Sequence, residues 1–172
     1  MRVWQKWVAA TLLWYIVGGL AVVALLAALP ADAASPPFTG KVVGVADGDT
    51  LTVLADNTQH KIRLAEIDAP EKKQAFGKRA KQSLSDLCFN ADAEVTPATT
   101  DRYGRTIARV RCGGVDASLY QVSNGLAWAY TAYLKDPAIA TAERAARESG
   151  IGLWADAEPT PPWAYRKGKR QQ

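Results

Sequence analysis

Apolar and polar residues alternate along three short stretches in the first half of the chain, and this alternation predicts β-strands. The first stretch, residues 41–45, is apolar and β-branched, and Asp-Gly-Asp at residues 47–49 interrupts it. Residues 51–54 alternate, residues 55–58 have the composition of a turn, and residues 60–67 alternate again. Because short turns join antiparallel neighbours, the pattern predicts three antiparallel strands. The third is expected to be strongly coiled or bulged, because its buried face switches near residues 62–66.

The second half of the chain combines helical and strand-like patterns. Apolar residues recur at helical spacing from Phe76 to Cys88, with basic residues on the opposite side. Strand patterns return at residues 94–96 and 106–112, followed by a short helix over Ala117–Ser123. A last helix is predicted over residues 136–149, because it opens on an aspartate cap followed by proline. The order βββ-α-ββ-α-α predicts an α+β protein, mainly a five-stranded barrel of OB type, with three helices.

The amino-terminal segment has the features of an export signal. Residues 8–29 carry no charge, follow Arg2 and Lys6, and are numerous enough to cross a bilayer. Ala31-Asp32-Ala33 then supplies the small-x-small pattern at which signal peptidase cuts. We therefore expect residues 1–33 to be a signal peptide cleaved near Ala33, leaving a secreted or periplasmic protein. An uncleaved anchor, with membrane association through residues 8–29 and the folded part outside the cytoplasm, is the alternative.

The remaining chain divides into three predicted parts. Residues 34–38 have the composition of a linker, residues 39–155 form the predicted folded domain, and residues 156–172 form a tail that is Pro-rich and then basic. The tail interleaves aromatic and basic residues. It is expected either to add non-specific affinity for phosphate or to contain a packed tryptophan followed by a frayed end.

Composition excludes several classes of protein and leaves a nucleic-acid partner open. The hydrophobic share of 48% and the charged share of 22% exclude global disorder, collagen and coiled coils. Two cysteines and one histidine exclude a four-ligand zinc finger. The net charge of +4 is a mild basic bias, but residues 34–165 carry fifteen basic and sixteen acidic residues. The basic excess therefore belongs to the ends of the chain.

The cysteines form an even pair in a chain that we expect to be exported. In an oxidising compartment, Cys88 and Cys112 are predicted to form a disulfide. Closing that loop is expected to stabilise the fold by about 3 kcal/mol. Two buried free thiols are the alternative, expected only of a cytosolic chain.

Four acidic residues are candidates for chemistry because they lie at turns beside strand ends. Asp47 and Asp49 follow the first strand, and Asp68 and Glu71 follow the third. In this topology the two ends can converge, and clustered carboxylates repel unless a cation neutralises them. Oxygen ligands without Cys or His favour a hard ion such as Ca²⁺ or Mg²⁺. Taken alone, Asp-Gly-Asp also fits an ordinary turn.

Two arginines are candidates for binding phosphate. Arg63 alternates with apolar residues inside the third predicted strand, and Arg105 follows a Tyr-Gly turn at the start of the fifth. The guanidinium group can hold a phosphate through two parallel hydrogen bonds. Taken alone, each arginine fits better as a salt-bridged strand residue, or as one whose charged end reaches solvent.

Taken together, these motifs resemble the thermonuclease (staphylococcal-nuclease-like) family. The resemblance rests on three sequences in the same order and at matching spacing, at residues 45–50 (VADGDT), 62–71 (IRLAEIDAPE) and 101–105 (DRYGR). It continues through GLAWAY at 125–130 to GLW at 152–154, and so covers roughly residues 39–155. The resemblance implies the same OB barrel with three helices.

The resemblance also implies roles for individual residues. Asp49, Asp68 and the main-chain carbonyl of Ala69 would bind Ca²⁺ directly, and Asp47 would act just outside that shell. Glu71 corresponds to the proposed general base.

The remaining implied roles concern the substrate. The two arginines, Arg63 and Arg105, would hold the scissile phosphate. Tyr130 and Tyr133 correspond to tyrosines that line a nucleotide pocket, or they pack in the core. Lys72 and Lys73 correspond to a basic loop near the substrate, or to a solvated charged face.

The function implied by the resemblance is Ca²⁺-dependent hydrolysis of phosphodiester bonds in DNA and RNA, without strong sequence specificity and with 3′-phosphate ends. We expect a monomer that prefers single strands. The alternative is a non-catalytic OB-fold module that binds nucleic acid at the cell envelope. The intact set of five residues favours cleavage, because a binding module has no chemical need for it; the set is Asp49, Arg63, Asp68, Glu71 and Arg105.

Overall fold

The computed structural model of the protein describes residues 35–171. The predictions for residues 1–33, including the cleavage near Ala33 and the membrane association of residues 8–29, lie outside the described residues. Within 35–171, no helix combines the length and the apolar character that crossing a bilayer requires.

The five predicted barrel strands and the three predicted helices occur in the predicted order, and the structure adds three two-residue strands and one further helix. The strands are β1 (Phe38–Val45), β2 (Thr50–Ala55), β3 (Thr58–Leu64), β4 (Ile67–Asp68), β5 (Asp92–Thr100), β6 (Thr106–Cys112), β7 (Val115–Asp116) and β8 (Trp128–Ala129). The helices are α1 (Gly77–Cys88), α2 (Ala117–Ser123), α3 (Pro137–Glu148) and α4 (Pro162–Lys169), with a 3₁₀ helix over Gly152–Ala155. As predicted, Asp136 caps α3: its Oδ1 accepts a hydrogen bond from the Ala138 amide at 2.9 Å.

Five strands close into the predicted barrel. The sheet order is β3-β2-β1-β5-β6, β7 extends β6, and all of these neighbours are antiparallel. Parallel pairing of Ile62–Leu64 in β3 with Thr106–Ala108 in β6 closes the barrel. This pairing brings the strand that carries Arg63 beside the strand that follows Arg105, although the two arginines are far apart in sequence.

Alternation along the strands fills the barrel with apolar side chains. In β5, Ala93 and Val95 are buried while their neighbours are exposed, and in β6 the buried Val110 lies between exposed Arg109 and Arg111. Val95 and Val110 are direct cross-strand partners. Helix α1 covers one end of the barrel with residues spaced one turn apart, because Ala80, Leu84 and Cys88 are fully buried.

The third predicted strand, residues 60–67, is divided in the structure. Strand β3 ends at Leu64, Glu66 adopts a positive φ of 67°, and β4 begins at Ile67. A positive φ is uncommon for a residue other than glycine and turns the chain sharply. The short strand β4 then pairs with β8, with Asp68 opposite Trp128. The turn at Glu66 therefore directs the chain from the barrel wall to the position of Asp68.

The predicted disulfide is present. Cys88 at the end of α1 is bonded to Cys112 at the end of β6, with 5.3 Å between the Cα atoms. Both residues are buried in the core. The bond joins the helix that covers the barrel to one of the barrel's own strands.

Replacing both Cys88 and Cys112 by serine is expected to lower the free energy of unfolding by about 3 kcal/mol, because the disulfide closes a 24-residue loop. Denaturant unfolding of the two proteins, compared with wild type treated with a reductant, measures the difference. Equal stability of oxidised and reduced wild type would contradict the prediction.

The carboxyl-terminal residues, predicted to be a Pro-rich and then basic tail, contain a helix. Residues 162–169 form the additional helix α4, which begins with a proline at its first position. Trp163 lies against two aromatic residues of the domain, 5.6 Å from Trp128 and stacked on Tyr130 at 5.9 Å between ring centroids. The aromatic contacts of Trp163 are those expected of the second alternative, but Trp163 is 38% exposed and the segment after it is helical rather than frayed. Its affinity for phosphate remains a prediction.

Candidate active site

A cavity of about 1110 Å³ collects most of the predicted site residues. Its lining comes from the turn after β1, from β3 and β4, from the loop before β6, from the segment after β8 and from α4. The predicted residues in the lining are Asp47, Asp49, Arg63, Asp68, Ala69, Glu71, Arg105, Tyr130 and Tyr133. The barrel closure and the turn at Glu66 are what bring these distant segments together.

The Asp47-Gly48-Asp49 turn is held by close packing. A Cβ atom on Gly48 would lie 2.6 Å from Cβ of Ala80 and 2.7 Å from Cβ of Ala69, so only glycine fits. The fully buried Gln121 on α2 donates from Nε2 to the carbonyl oxygens of Gly48 at 2.7 Å and of Ala80 at 2.8 Å. Helices α1 and α2 thereby fix the turn that carries both aspartates.

Replacing Gln121 by leucine is expected to cost about 1–3 kcal/mol of unfolding free energy, because two buried carbonyl groups lose their donor. The loss is partly offset, because Oε1 of Gln121 has no hydrogen-bond partner among residues 35–171. Thermal unfolding measures the effect, with the exposed Gln82→Leu on α1 as the control. Equal destabilisation by both variants would contradict the role given to Gln121.

Arg63 joins the two aspartates that the resemblance assigns to the metal. Its Nη1 lies 2.7 Å from Oδ2 of Asp49, and its Nη2 lies 3.1 Å from Oδ1 of Asp68. Both aspartates are nearly inaccessible to solvent. The Ala69 amide donates to Oδ2 of Asp49 at 2.9 Å, so the main chain at Ala69 also belongs to this cluster. The side chains predicted from the two separate motifs therefore meet at one point.

The loop after β4 fixes the backbone of Glu71. The Glu71 amide donates to Oε1 of Gln74 at 3.1 Å, and its carbonyl accepts from the Gln74 amide at 2.8 Å. Gly77 lies so close that a Cβ atom there would be 2.0 Å from the Glu71 carbonyl oxygen. The compact loop therefore requires glycine at position 77, and it presents the half-exposed Glu71 carboxylate to the cavity.

Arg105 also lines the cavity and is held by Asp101. Its Nε and Nη2 each lie 2.7 Å from Oδ2 of Asp101, and its amide donates to Oδ1 of the same residue at 3.0 Å. Burial raises the pKa of the Asp101 carboxyl, but the hydrogen bonds from Arg105 outweigh it and the pKa lies below its usual range. The carboxylate thus stays ionised and orients the guanidinium.

The acidic cluster carries more negative charge than its arginines neutralise. Burial raises the pKa of Asp47, and the charge of neighbouring Asp49 raises it further. Arg63 keeps its charge, because the attraction of Asp49 and Asp68 outweighs the burial that lowers its pKa. A bound cation would offset this excess of negative charge.

The four remaining predicted residues are not equivalent in the structure. Tyr130 and Tyr133 line the cavity and contact each other edge to face at 5.0 Å between ring centroids. Lys72 and Lys73 are exposed and lie outside the cavity lining. The tyrosines are thus available to a ligand in the cavity, whereas a role for the lysines remains a prediction.

Besides Asp101, sequence reasoning missed other cavity residues, including Arg166, Tyr103 and Glu66. Arg166 reaches the acidic cluster from α4, in the segment predicted to be a tail. Tyr103, two-thirds exposed, lies beneath the guanidinium groups of Arg102 and Arg105 at 4.9 and 5.7 Å. Glu66 accepts the amides of two residues that precede α3, at 2.8 and 2.7 Å. Tyr103 lies inside the Asp-Arg-Tyr-Gly-Arg motif at residues 101–105, so the sequence contained a signal from which its place in the site could have been predicted.

Comparison with known proteins assigns the family. Residues 61–156 match the family model described as staphylococcal nuclease homologue. The chain belongs to this family. The chain is 40% identical over 161 residues to a micrococcal nuclease of Shigella flexneri, and the match covers 87% of this chain and 91% of the relative. It is 45% identical over 133 residues to an uncharacterized endonuclease of Haemophilus influenzae, covering 77% of this chain and 75% of the relative.

The family extends to a much longer plant protein. The staphylococcal-like nuclease CAN1 of Arabidopsis thaliana is 40% identical over 110 residues, which are 64% of this chain and 34% of the relative. The predicted thermonuclease family is therefore confirmed. The family model ends at residue 156, before helix α4 begins.

Proposed function

We propose that the protein is a Ca²⁺-dependent nuclease that hydrolyses phosphodiester bonds of DNA and RNA. The observation that supports this best is Arg63, whose single guanidinium group contacts both Asp49 and Asp68 at one end of the cavity. Arg105 and Glu71 line the same cavity. Relatives with 40% and 45% identity are named as nucleases.

The donor atoms fit a hard divalent cation. Asp49, Asp68 and the main-chain carbonyl of Ala69 would hold it, and Asp47 would lie nearby; all of these donors are oxygens, which Ca²⁺ prefers. In the described part of the chain, no three His, Cys, Asp or Glu side chains are arranged to hold an ion by themselves. Carbonyl and water oxygens would therefore complete the coordination. When bound, the ion neutralises charge on the phosphate and so favours attack on it.

The chain's own residues supply the acid–base and electrostatic parts of the reaction. Glu71 accepts a proton from the attacking water as its oxygen bonds to phosphorus. The bond from phosphorus to the 5′ oxygen breaks, the 5′ oxygen takes up a proton, and the phosphate remains on the 3′ end. Arg63 and Arg105 stabilise the negative charge that builds on the phosphate during this step. The hydrogen bonds from Asp101 keep Arg105 in place.

The cavity walls suit an unpaired strand. Tyr130 and Tyr133 line it, and Tyr103 adds a largely exposed ring to the lining. Bases stack on aromatic side chains only when they are not paired in a duplex, so we expect a preference for single strands. No sequence preference is expected, because the residues assigned to the substrate besides the tyrosines, Arg63 and Arg105, would bind the phosphate rather than the base edges.

We further propose that the nuclease acts outside the cytoplasm as a monomer. The disulfide between Cys88 and Cys112 supports export, because such bonds persist in oxidising compartments. The apolar run at residues 8–29 and the small-x-small pattern before residue 34 support the same compartment. Detection of the protein in the periplasmic or extracellular fraction, with or without residues 1–33, tests this proposal.

The test of the proposed function is cleavage of single-stranded DNA by the purified protein with Ca²⁺, with Mg²⁺, and with a chelator. We expect Ca²⁺ to support cleavage, chelation to stop it, and added Ca²⁺ to restore it. End-group analysis of the products should give 3′ phosphates. Cleavage that survives chelation would contradict the metal assignment, and DNA binding without cleavage would favour the non-catalytic module.

A further inference from the structure

Helix α4 brings a third arginine into the acidic cluster. Nη2 of Arg166 lies 2.7 Å from Oδ2 of Asp68, and its Nη1 lies 3.1 Å from Oδ1 of Asp68 and 2.9 Å from Oε1 of Glu71. One guanidinium group thus holds both oxygens of one carboxylate and one oxygen of the next. Burial lowers the pKa of Arg166 less than the bonds to Asp68 and Glu71 raise it, so the group is always charged.

Two contacts fix the position of α4: a hydrogen bond to Thr160, which precedes the helix, and the packing of Trp163 within it. Nε2 of Gln74 donates to the Thr160 carbonyl at 2.6 Å, and the amide of Glu71 donates to Oε1 of the same Gln74. Trp163 packs on Trp128 and Tyr130. Gln74 therefore links the backbone of Glu71 to that of Thr160, just before α4. Arg166 makes a second link between α4 and Glu71, through the two side chains.

Resting on the proposed function, we propose that Arg166 is a positioning residue that holds the carboxylate of Glu71 at a fixed place relative to Asp68. Among residues 35–171, Arg166 is the only side chain that bonds the Glu71 carboxylate. The side chain of Glu71 is 42% exposed, whereas that of Asp68 is 1% exposed. Glu71 lacks the packing that fixes Asp68, and the guanidinium bridge supplies the constraint instead.

Position matters here because Glu71 must accept a proton from a water that is aligned with the phosphate. A displacement of about 1 Å in a reacting group can lower a rate by about 10²-fold. A lysine at position 166 cannot replace the bridge, because an ammonium group is a point charge without the planar fork that contacts two carboxylates at once. The structure also suggests a rival role, in which Arg166 merely occupies the acidic cluster and a metal ion displaces it.

The experiment compares wild type with Arg166→Gln and Arg166→Lys. The control is Arg144→Gln, which removes an exposed arginine of α3 that does not line the cavity. For each protein, kcat and KM are measured on a single-stranded oligonucleotide at saturating Ca²⁺. Calorimetry measures Ca²⁺ binding to the free protein, and near-ultraviolet circular dichroism and thermal unfolding check the packing of the tryptophans.

We expect both Arg166 variants to lose about 10²-fold in kcat, with a much smaller change in KM. We expect Arg166→Gln to bind Ca²⁺ at least as tightly as wild type, because a positive charge beside Asp68 has been removed. A rate that falls while metal binding is kept separates positioning of Glu71 from support of the metal site. The Arg144→Gln control should match wild type in both measurements.

Each other outcome overturns the inference. If kcat and Ca²⁺ affinity fall together in Arg166→Gln, the residue supports the metal site or the fold. If both rise, Arg166 only competes with the metal, and if neither changes, or if Arg166→Lys keeps the full rate, no bridge is needed. A wild-type protein that binds Ca²⁺ without cleaving DNA would instead contradict the proposed function, and the positioning role would fall with it.

Discussion

Replacing Glu71 by glutamine is expected to slow cleavage by roughly 10²–10⁴-fold at saturating Ca²⁺ and DNA. Glutamine has the same shape and its amide oxygen still accepts a hydrogen bond from Arg166, so the side chain keeps its contact. It cannot accept the proton of the attacking water. The variant therefore removes the base and preserves its position, which is the opposite of what Arg166→Gln does.

Single-turnover cleavage of a defined oligonucleotide measures the chemical step directly. The matched control is Glu94→Gln, which neutralises an exposed glutamate of β5 outside the cavity. If Glu71→Gln cleaves within a few-fold of this control, Glu71 is not the proton acceptor.

Replacing Arg63 by lysine is expected to lower kcat by about 10²–10³-fold, the cost of removing one oriented donor from a charge-stabilising site. Lysine keeps the positive charge but cannot contact Asp49 and Asp68 with two separate nitrogens while also facing the phosphate. One of the buried carboxylates then loses a partner. We therefore expect a loss of stability in the absence of metal in addition to the loss of rate.

Arg111→Lys is the control for this substitution, because Arg111 is an exposed strand residue of the same barrel that lies outside the cavity. Steady-state kinetics on single-stranded DNA measures the rate, and thermal unfolding without Ca²⁺ measures the stability. A near-normal rate for Arg63→Lys would remove Arg63 from the reaction. In that case its only role would be to pair Asp49 with Asp68.

The barrel was predictable from sequence because its core follows simple alternation. Buried Val95 and Val110 stand between exposed neighbours on β5 and β6, as a half-buried antiparallel sheet requires. A coiled or bulged third strand was predictable from the switch of face near residues 62–66, but its division into β3 and β4 was not. Glu66 has no conformational preference for a positive φ, and its turn is stabilised by distant amides that bond its carboxylate.

The acidic cluster was predictable because its members lie within short motifs at turns. Asp49 and Asp68 follow strands whose antiparallel arrangement brings their ends together, and the structure links both to Arg63. Arg166 could not be predicted in this way, because α4 is a short helix whose position depends on the packing of Trp163 and on Gln74. A basic residue near the chain end carries no local signal that it points into a site.

The disulfide lies away from the chemistry, since neither Cys88 nor Cys112 lines the cavity. Before oxidation the chain therefore carries every candidate catalytic group on a scaffold that is about 3 kcal/mol less stable, which raises the unfolded fraction by roughly two orders of magnitude. Unfolded chains are the ones that cellular proteases remove. Oxidation would thus set how much of this nuclease persists, while the cleavage rate of each folded molecule stays the same. Newly made protein in a reducing cytoplasm would be the form most readily degraded.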